Sequence, residues 1–125
     1  MPRRRNMKIV TRKLKKGLIV VVPESLDDLW HLYNIILPGD QIAARTVRRV
    51  RRDSEGSRPD RGERRRMFIR LEVEEVSLHK YSNRLRVKGR IIEGPEEFVS
   101  LGTYHTINVE PGLKIEIIKT HWPQS

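Results

Sequence analysis

After Asp40 the apolar residues of this chain keep a period of two, and at one place the period slips. Ile69, Leu71 and Val73 share one face of an extended segment, and Val76 and Leu78 continue that face one residue out of step. Side chains alternate across a strand, so the slip requires one extra residue on the strand. It predicts a β-bulge at Glu74-Glu75, a device that curls sheets into small barrels. The next segment is cleaner. Leu85, Val87, Gly89 and Ile91 alternate with Arg84, Arg86, Lys88 and Arg90, which gives a half-buried strand with one basic face. Upstream, Ile42, Ala44 and Thr46 alternate before the phase drifts through Val47 and Val50, which predicts a bend or bulge near Thr46.

The flanking segments complete one small domain. Met7–Leu14 and Leu18–Val22 read as strands joined across Lys15-Lys16-Gly17, and Pro23-Glu24 stops the sheet. Ser25 is a helix N-cap, with Asp28 as the acidic half of a capping box and Asp27 in the positive first turn. Leu26, Leu29, Trp30, Tyr33 and Ile36 recur at helical spacing and are expected to form one core-facing stripe, ended by Pro38-Gly39-Asp40. Two further strands are expected near Val99–Val109 and Leu113–Lys119, separated by Glu110-Pro111-Gly112. The predicted fold is mainly β with one short helix, a small bent β-barrel. At 125 residues the chain holds one modest core.

Composition narrows the partners. The absence of cysteine removes disulfides and thiolate metal sites. No apolar run approaches the length of a membrane span, and nothing apolar follows Met1-Pro2-Arg3-Arg4-Arg5 as it would in a secretory signal, so a cytoplasmic protein is expected. The net charge of +10 favours a polyanion. Its distribution is more telling. Arg45, Arg48, Arg49, Arg51 and Arg52 precede a segment, Asp53–Arg66, that is poor in apolar residues. Arg58, Arg61, Arg64, Arg65 and Arg66 lie within it, and Arg70 follows. Such a segment cannot offset its ordering entropy by burial and is expected to be a mobile protruding loop. No lysine occurs from Gly17 to His79. Guanidinium supplies a planar fork for phosphate and a face that stacks on bases, so these arginines are the candidate RNA-binding residues. A solvated charged loop of a heat-adapted protein is the competing explanation.

Catalytic chemistry is hard to assemble. His31, His79, His105 and His121 are scattered without metal-site spacing. Glu74-Glu75 and Glu96-Glu97 are sequence neighbours, which in a strand point to opposite faces. His105 could act as a general base, although a hydrogen-bonded strand histidine is the commoner arrangement. No phosphate-binding loop, nucleophile elbow or dinucleotide fingerprint occurs. No cofactor is expected.

Several segments carry a family resemblance. Glu24-Ser-Leu-Asp-Asp-Leu-Trp-His-Leu-Tyr-Asn34, Pro38-Gly-Asp40 and Thr46-Val-Arg-Arg-Val50, followed by Leu85-Arg-Val-Lys-Gly89, Leu101-Gly-Thr-Tyr-His-Thr106 and Lys119-Thr-His-Trp122, resemble the N-terminal domain of Pelota. The resemblance runs from Met7 to about Trp122. Residues 1–6 then read as a flexible basic extension, and residues 123–125 as the start of a linker to central and C-terminal domains. It implies an Sm-like barrel that enters the ribosomal A site of stalled ribosomes, where a release factor would read a stop codon. It also implies a monomer delivered by a translational GTPase related to elongation factor 1-alpha and acting with a subunit-splitting ATPase. The segment at Asp53–Arg66 matches the family's variable loop, which reaches the decoding centre. The stop-codon-reading motifs of the related termination factors are absent, which fits codon-independent recognition. Arginine in excess of lysine points to a thermophilic archaeal member. The family has also been credited with a divalent-metal-dependent endoribonuclease activity; here Asp27, Asp28, Glu74 or Glu75 would have to carry it. A ring-forming Sm-like assembly subunit is a third possibility, which a monomeric mass in solution would exclude.

An RNA-binding module of this kind should lose affinity steeply with salt, with a log–log slope of roughly −0.7 per neutralised phosphate of a single strand. Replacing Arg64, Arg65 and Arg66 by alanine should flatten the slope in a salt titration. An unchanged slope removes the segment from the mechanism.

Overall fold

The computed structural model describes residues 8–13, 17–50 and 63–119. Its elements are β1 (Lys8–Lys13), β2 (Leu18–Val22), α1 (Leu26–Ile35), β3 (Gln41–Val50), β4 (Glu63–His79), β5 (Arg84–Glu93), β6 (Tyr104–Val109) and β7 (Ile115–Ile118). The seven strands form one sheet in the order β1-β2-β7-β3-β4-β5-β6, and every pairing is antiparallel. The sheet rolls up into a small, bent half-barrel. Two strands lie between β3 and β6 in sheet order, yet Thr46 Oγ1 sits 3.0 Å from Nε2 of His105.

The curl has a local origin. On β4 the register passes from Val73 opposite Gly89 to Glu75 opposite Lys88, so Glu74 is the extra residue of the predicted bulge. A second irregularity leaves Ile92 extra on β5, between the pairs Leu71–Ile91 and Arg70–Glu93. Gly89 permits the bend. A Cβ built there would lie 2.0 Å from the Glu72 carbonyl oxygen, so any side chain would drive the strands apart.

Helix α1 closes one side of the core. Ser25 caps it with extended backbone and accepts from the Asp28 amide, while the buried Asp28 carboxylate accepts from the Glu24 amide at 2.7 Å. Leu29, Leu32 and Ile36 are buried against Ile42, Ile69, Leu71, Leu85, Val87, Ile107 and Ile115. Each such side chain contributes about 1.5–3 kcal/mol by burial. At the helix end the buried Lys119 ammonium donates to the Ile35 carbonyl at 2.7 Å and pairs with Asp40. The Lys119 amide donates to the Gly17 carbonyl, and Gly17 has φ of +68° with no room for a Cβ beneath the Lys119 carbonyl. One residue thus ties α1, the start of β3 and the β1–β2 turn to the end of β7.

Four expectations change. Trp30 and Tyr33 are exposed, and the core position of the helix is filled by Leu32. The apolar arc is Leu29, Leu32 and Ile36, with Leu26 packed beside it, because the polar neighbours of Trp30 put it on the solvent side. No bulge occurs near Thr46, since β3 and β4 stay in register from Gln41–Glu72 to Val50–Glu63. The apparent drift arises because polar Thr46 and Arg48 point inward toward β6 while Val47 points out. Val99 lies outside β6, buried in the connection that begins at Gly94. Finally, residues 63–66 belong to β4 and pair with β3; residues 53–62 of the expected loop lie outside the described residues, as do Met7 and Leu14 of the expected first strand.

Replacing Gly89 by alanine should destabilise the domain by about 2–4 kcal/mol, since the clash falls on backbone and no side chain can yield. Urea denaturation measures it. A loss below about 0.5 kcal/mol would mean that the strands separate at little cost.

Candidate nucleic-acid interface

The β3–β4 hairpin sorts the candidate arginines by strand parity. Residues opposite one another in an antiparallel ladder share a face. Arg45 faces Phe68, Val47 faces Arg66 and Arg49 faces Arg64. All six are exposed on the outer side, so four guanidinium groups surround two uncovered apolar side chains. The outer face combines cations for phosphate with a ring for stacking on bases. Phe68 and Val47 are additions to the sequence-derived set. Their signal was parity: if Ile69 and Leu71 face the core, Phe68 cannot.

The inner side holds the other two described arginines of the stem. Arg65 lies over the ring of Phe98 at 4.9 Å and pairs with Glu63 at 3.2 Å. Arg48 is half-buried, and its Nη1 donates to Nδ1 of His105 at 3.1 Å and to the Tyr104 carbonyl at 3.3 Å. A guanidinium has no acceptor, so Nδ1 of His105 must accept, which leaves the ring proton on Nε2 to donate to Thr46 Oγ1. Burial, then the charge of Arg48, lowers the His105 pKa to about 4. The histidine is therefore a neutral bolt between β3 and β6.

Arg70 is engaged elsewhere. Its side chain is 16% exposed and donates at 2.8 Å to both Glu93 on β5 and Glu116 on β7. Ala43, in register between Arg70 and Glu116, is small enough to let the guanidinium cross β3. Burial opposes the charge, but hydrogen bonds to the two carboxylates more than offset it and raise the pKa. Arg70 is thus a structural tie across four strands and does not present its fork to a ligand, contrary to the sequence expectation. Arg51, Arg52, Arg58 and Arg61 lie outside the described residues.

The carboxylates that a nuclease reading would need are engaged in separate places. Asp28 caps α1, Glu74 pairs with Arg90 at 3.0 Å, and Glu75 lines a groove on the outer face of β5. Among the described residues no group of three His, Asp or Glu side chains is placed to hold a metal ion. No described helix is long and apolar enough to cross a membrane.

Since the folded-state pKa of His105 lies below the ordinary value near 6.5, its contribution to stability is complete above pH 6.5 and is lost as pH falls toward 4. Urea midpoints should therefore decline over that range more steeply in the parent protein than in His105→Gln. Parallel pH profiles would show that the ring does not remain neutral in the folded state.

Comparison with known proteins places these features in a family. The model of the Pelota N-terminal domain matches residues 7–125. The "Protein pelota homolog" of Methanopyrus kandleri is 47% identical over 117 residues, which is 93% of this chain and 32% of that protein. The Pyrococcus horikoshii homologue is 46% identical over 116 residues, covering 93% of this chain and 33% of its own length. A structure described as a model of ribosome-bound archaeal Pelota and ABCE1 superposes with a TM-score of 0.78 at 40% identity, over 94% of this chain and 33% of that one. The chain thus spans about a third of the length of the relatives it matches.

Proposed function

The chain belongs to the Pelota N-terminal domain family, and from that membership we propose that it is the RNA-facing domain of a factor that recognises stalled ribosomes. It enters an A site that is empty or unproductive, and the encounter leads to ribosome rescue and surveillance of the stalled mRNA, in no-go and non-stop decay. The observation that carries this reading is the outer face of the β3–β4 hairpin. Arg45, Arg49, Arg64 and Arg66 form a rigid cationic blade around exposed Val47 and Phe68. Folded RNA offers such a blade phosphates on both sides and unpaired bases to stack on. No side chain of the blade reads a stop codon by a known motif, so recognition depends on the shape and vacancy of the site.

The setting is the cytosol, and the immediate partners are rRNA and mRNA. A translational GTPase related to elongation factor 1-alpha delivers the full-length factor, and a subunit-splitting ATPase acts with it afterwards. The similarity to a structure described as a model of ribosome-bound archaeal Pelota and ABCE1 supports a ribosome partner. The domain is read as acting as a monomer, as the family resemblance implies. No reacting group is assigned to it.

Converting Arg45, Arg49, Arg64 and Arg66 to alanine should weaken binding to purified stalled ribosomes by ~10-fold or more at physiological salt. Crosslinks from the hairpin should map to the decoding region of the small subunit. Undiminished binding by this variant, or crosslinks confined to the outer rim of the ribosome, would overturn the reading.

A further inference from the structure

The outer face of β5 carries a second set of cations that the hairpin does not use. Arg86, Lys88 and Arg90 recur at every second position, so they stand in one row about 7 Å apart. That interval is comparable to the phosphate repeat of an extended single strand. The neighbouring strands supply hydroxyls beside the row. In register, Ser77 lies opposite Arg86 on the β4 side, and Thr106 lies opposite Lys88 on the β6 side. Together with Glu75 these side chains line a shallow groove of about 230 Å3.

The row is not uniformly neutralised. Arg84 pairs with Glu110 at 3.3 Å and Arg90 with Glu74 at 3.0 Å, but among the described residues neither Arg86 nor Lys88 forms an ion pair. Next to these two cations stands Tyr104, 47% exposed. Its ring is held by Arg90, whose Nη2 donates to the hydroxyl at 3.0 Å and whose guanidinium carbon is 4.8 Å from the ring centre. Lys88 approaches the same ring at 5.3 Å. A half-exposed aromatic fixed beside cations that form no ion pair is a stacking platform with phosphate holders alongside.

We propose that the outer face of β5 is a second RNA-contact site, in which Arg86 and Lys88 take successive phosphates of an unpaired strand and Tyr104 stacks one of its bases. Ser77 and Thr106 donate to the same phosphates. Glu75, which faces Lys88, accepts from a ribose 2′-hydroxyl and so favours RNA over DNA. The site deepens the RNA-facing reading above and rests on it. Along β4 its near edge at Glu75 lies seven residues from Phe68 of the blade, which is roughly 23 Å in extended chain. A short oligomer therefore occupies one site at a time, and a longer strand engages both.

The test compares four forms of the full chain: the parent, Arg86→Ala/Lys88→Ala, the charge-keeping Arg86→Lys/Lys88→Arg, and Arg45→Ala/Arg49→Ala/Arg64→Ala/Arg66→Ala. Each is titrated with a labelled unstructured oligouridylate across a range of salt, with circular dichroism as the control for folding. The β5 variant should lower the log–log slope by about 1.4, the value for two phosphates of a single strand. Arg86→Lys/Lys88→Arg should restore it. With thiouridine-substituted RNA, crosslinks to Tyr104 should persist in the hairpin variant and disappear in the β5 variant. If the hairpin variant loses slope while the β5 variant matches the parent and Tyr104 never crosslinks, the second site is wrong and the RNA-facing reading stands. If neither variant alters the slope, the RNA-facing reading itself fails.

Discussion

Gly89 carries no side chain, and the Glu72 carbonyl of the adjacent strand occupies the space a Cβ would need. The rest of the architecture depends on that approach. It lets β4 and β5 cross tightly at the point where Glu74 bulges out of register, and the crossing turns an open sheet into a curled one. Because the sheet curls, β3 comes within hydrogen-bond reach of β6, and the neutral ring of His105 can bolt Thr46 and Arg48 in place. Pinning Arg48 inward settles which arginines of β3 face out. A single missing methyl thus leads, through three strands, to the arrangement of charge on the hairpin.

The hairpin pays for that arrangement in repulsion. Arg49 stands opposite Arg64 and Arg48 opposite Arg65, and like charges across a ladder destabilise it. The inner pair is relieved in part, since Arg65 has Glu63 and the Phe98 ring while Arg48 has the His105 lone pair. The outer pair is exposed, where water screens it. A polyanion laid along the outer face would lower the energy of both its arginines at once, so the same charges that strain the empty hairpin favour the occupied one.

The parts of this fold that were legible in the sequence are those where one physical rule acts alone. The phase slip between Val73 and Val76 has no explanation except an inserted residue, and the bulge lies at Glu74. Ser25 and Asp28 cap α1 as their chemistry requires. Misreadings arose where hydrophobicity was taken for burial. Trp30 and Tyr33 sit at helical spacing from Leu26 and Leu29, yet Leu32 completes the buried arc and the aromatics face solvent. Thr46 and Arg48 looked like a break in alternation because polar residues at inward positions are rare; only the histidine on β6 explains them, and it is 57 residues from Arg48. Arg70 was grouped with the other arginines by sequence proximity, but its partners Glu93 and Glu116 lie on two other strands. Long-range partners of this kind leave no trace in a local pattern.

β4 runs for 17 residues without a break, pairing with β3 from Glu63 to Glu72 and with β5 from Arg70 to His79. The two halves have different partners, and the bulges sit where one set of pairings hands over to the other. Among the described residues, β4 thus joins the arginine blade to the body of the barrel without a break in the strand. The distance and angle between the two ends of β4 are set by hydrogen-bonded backbone, so the domain behaves as a caliper with fixed jaws: whatever surface it meets must match its span.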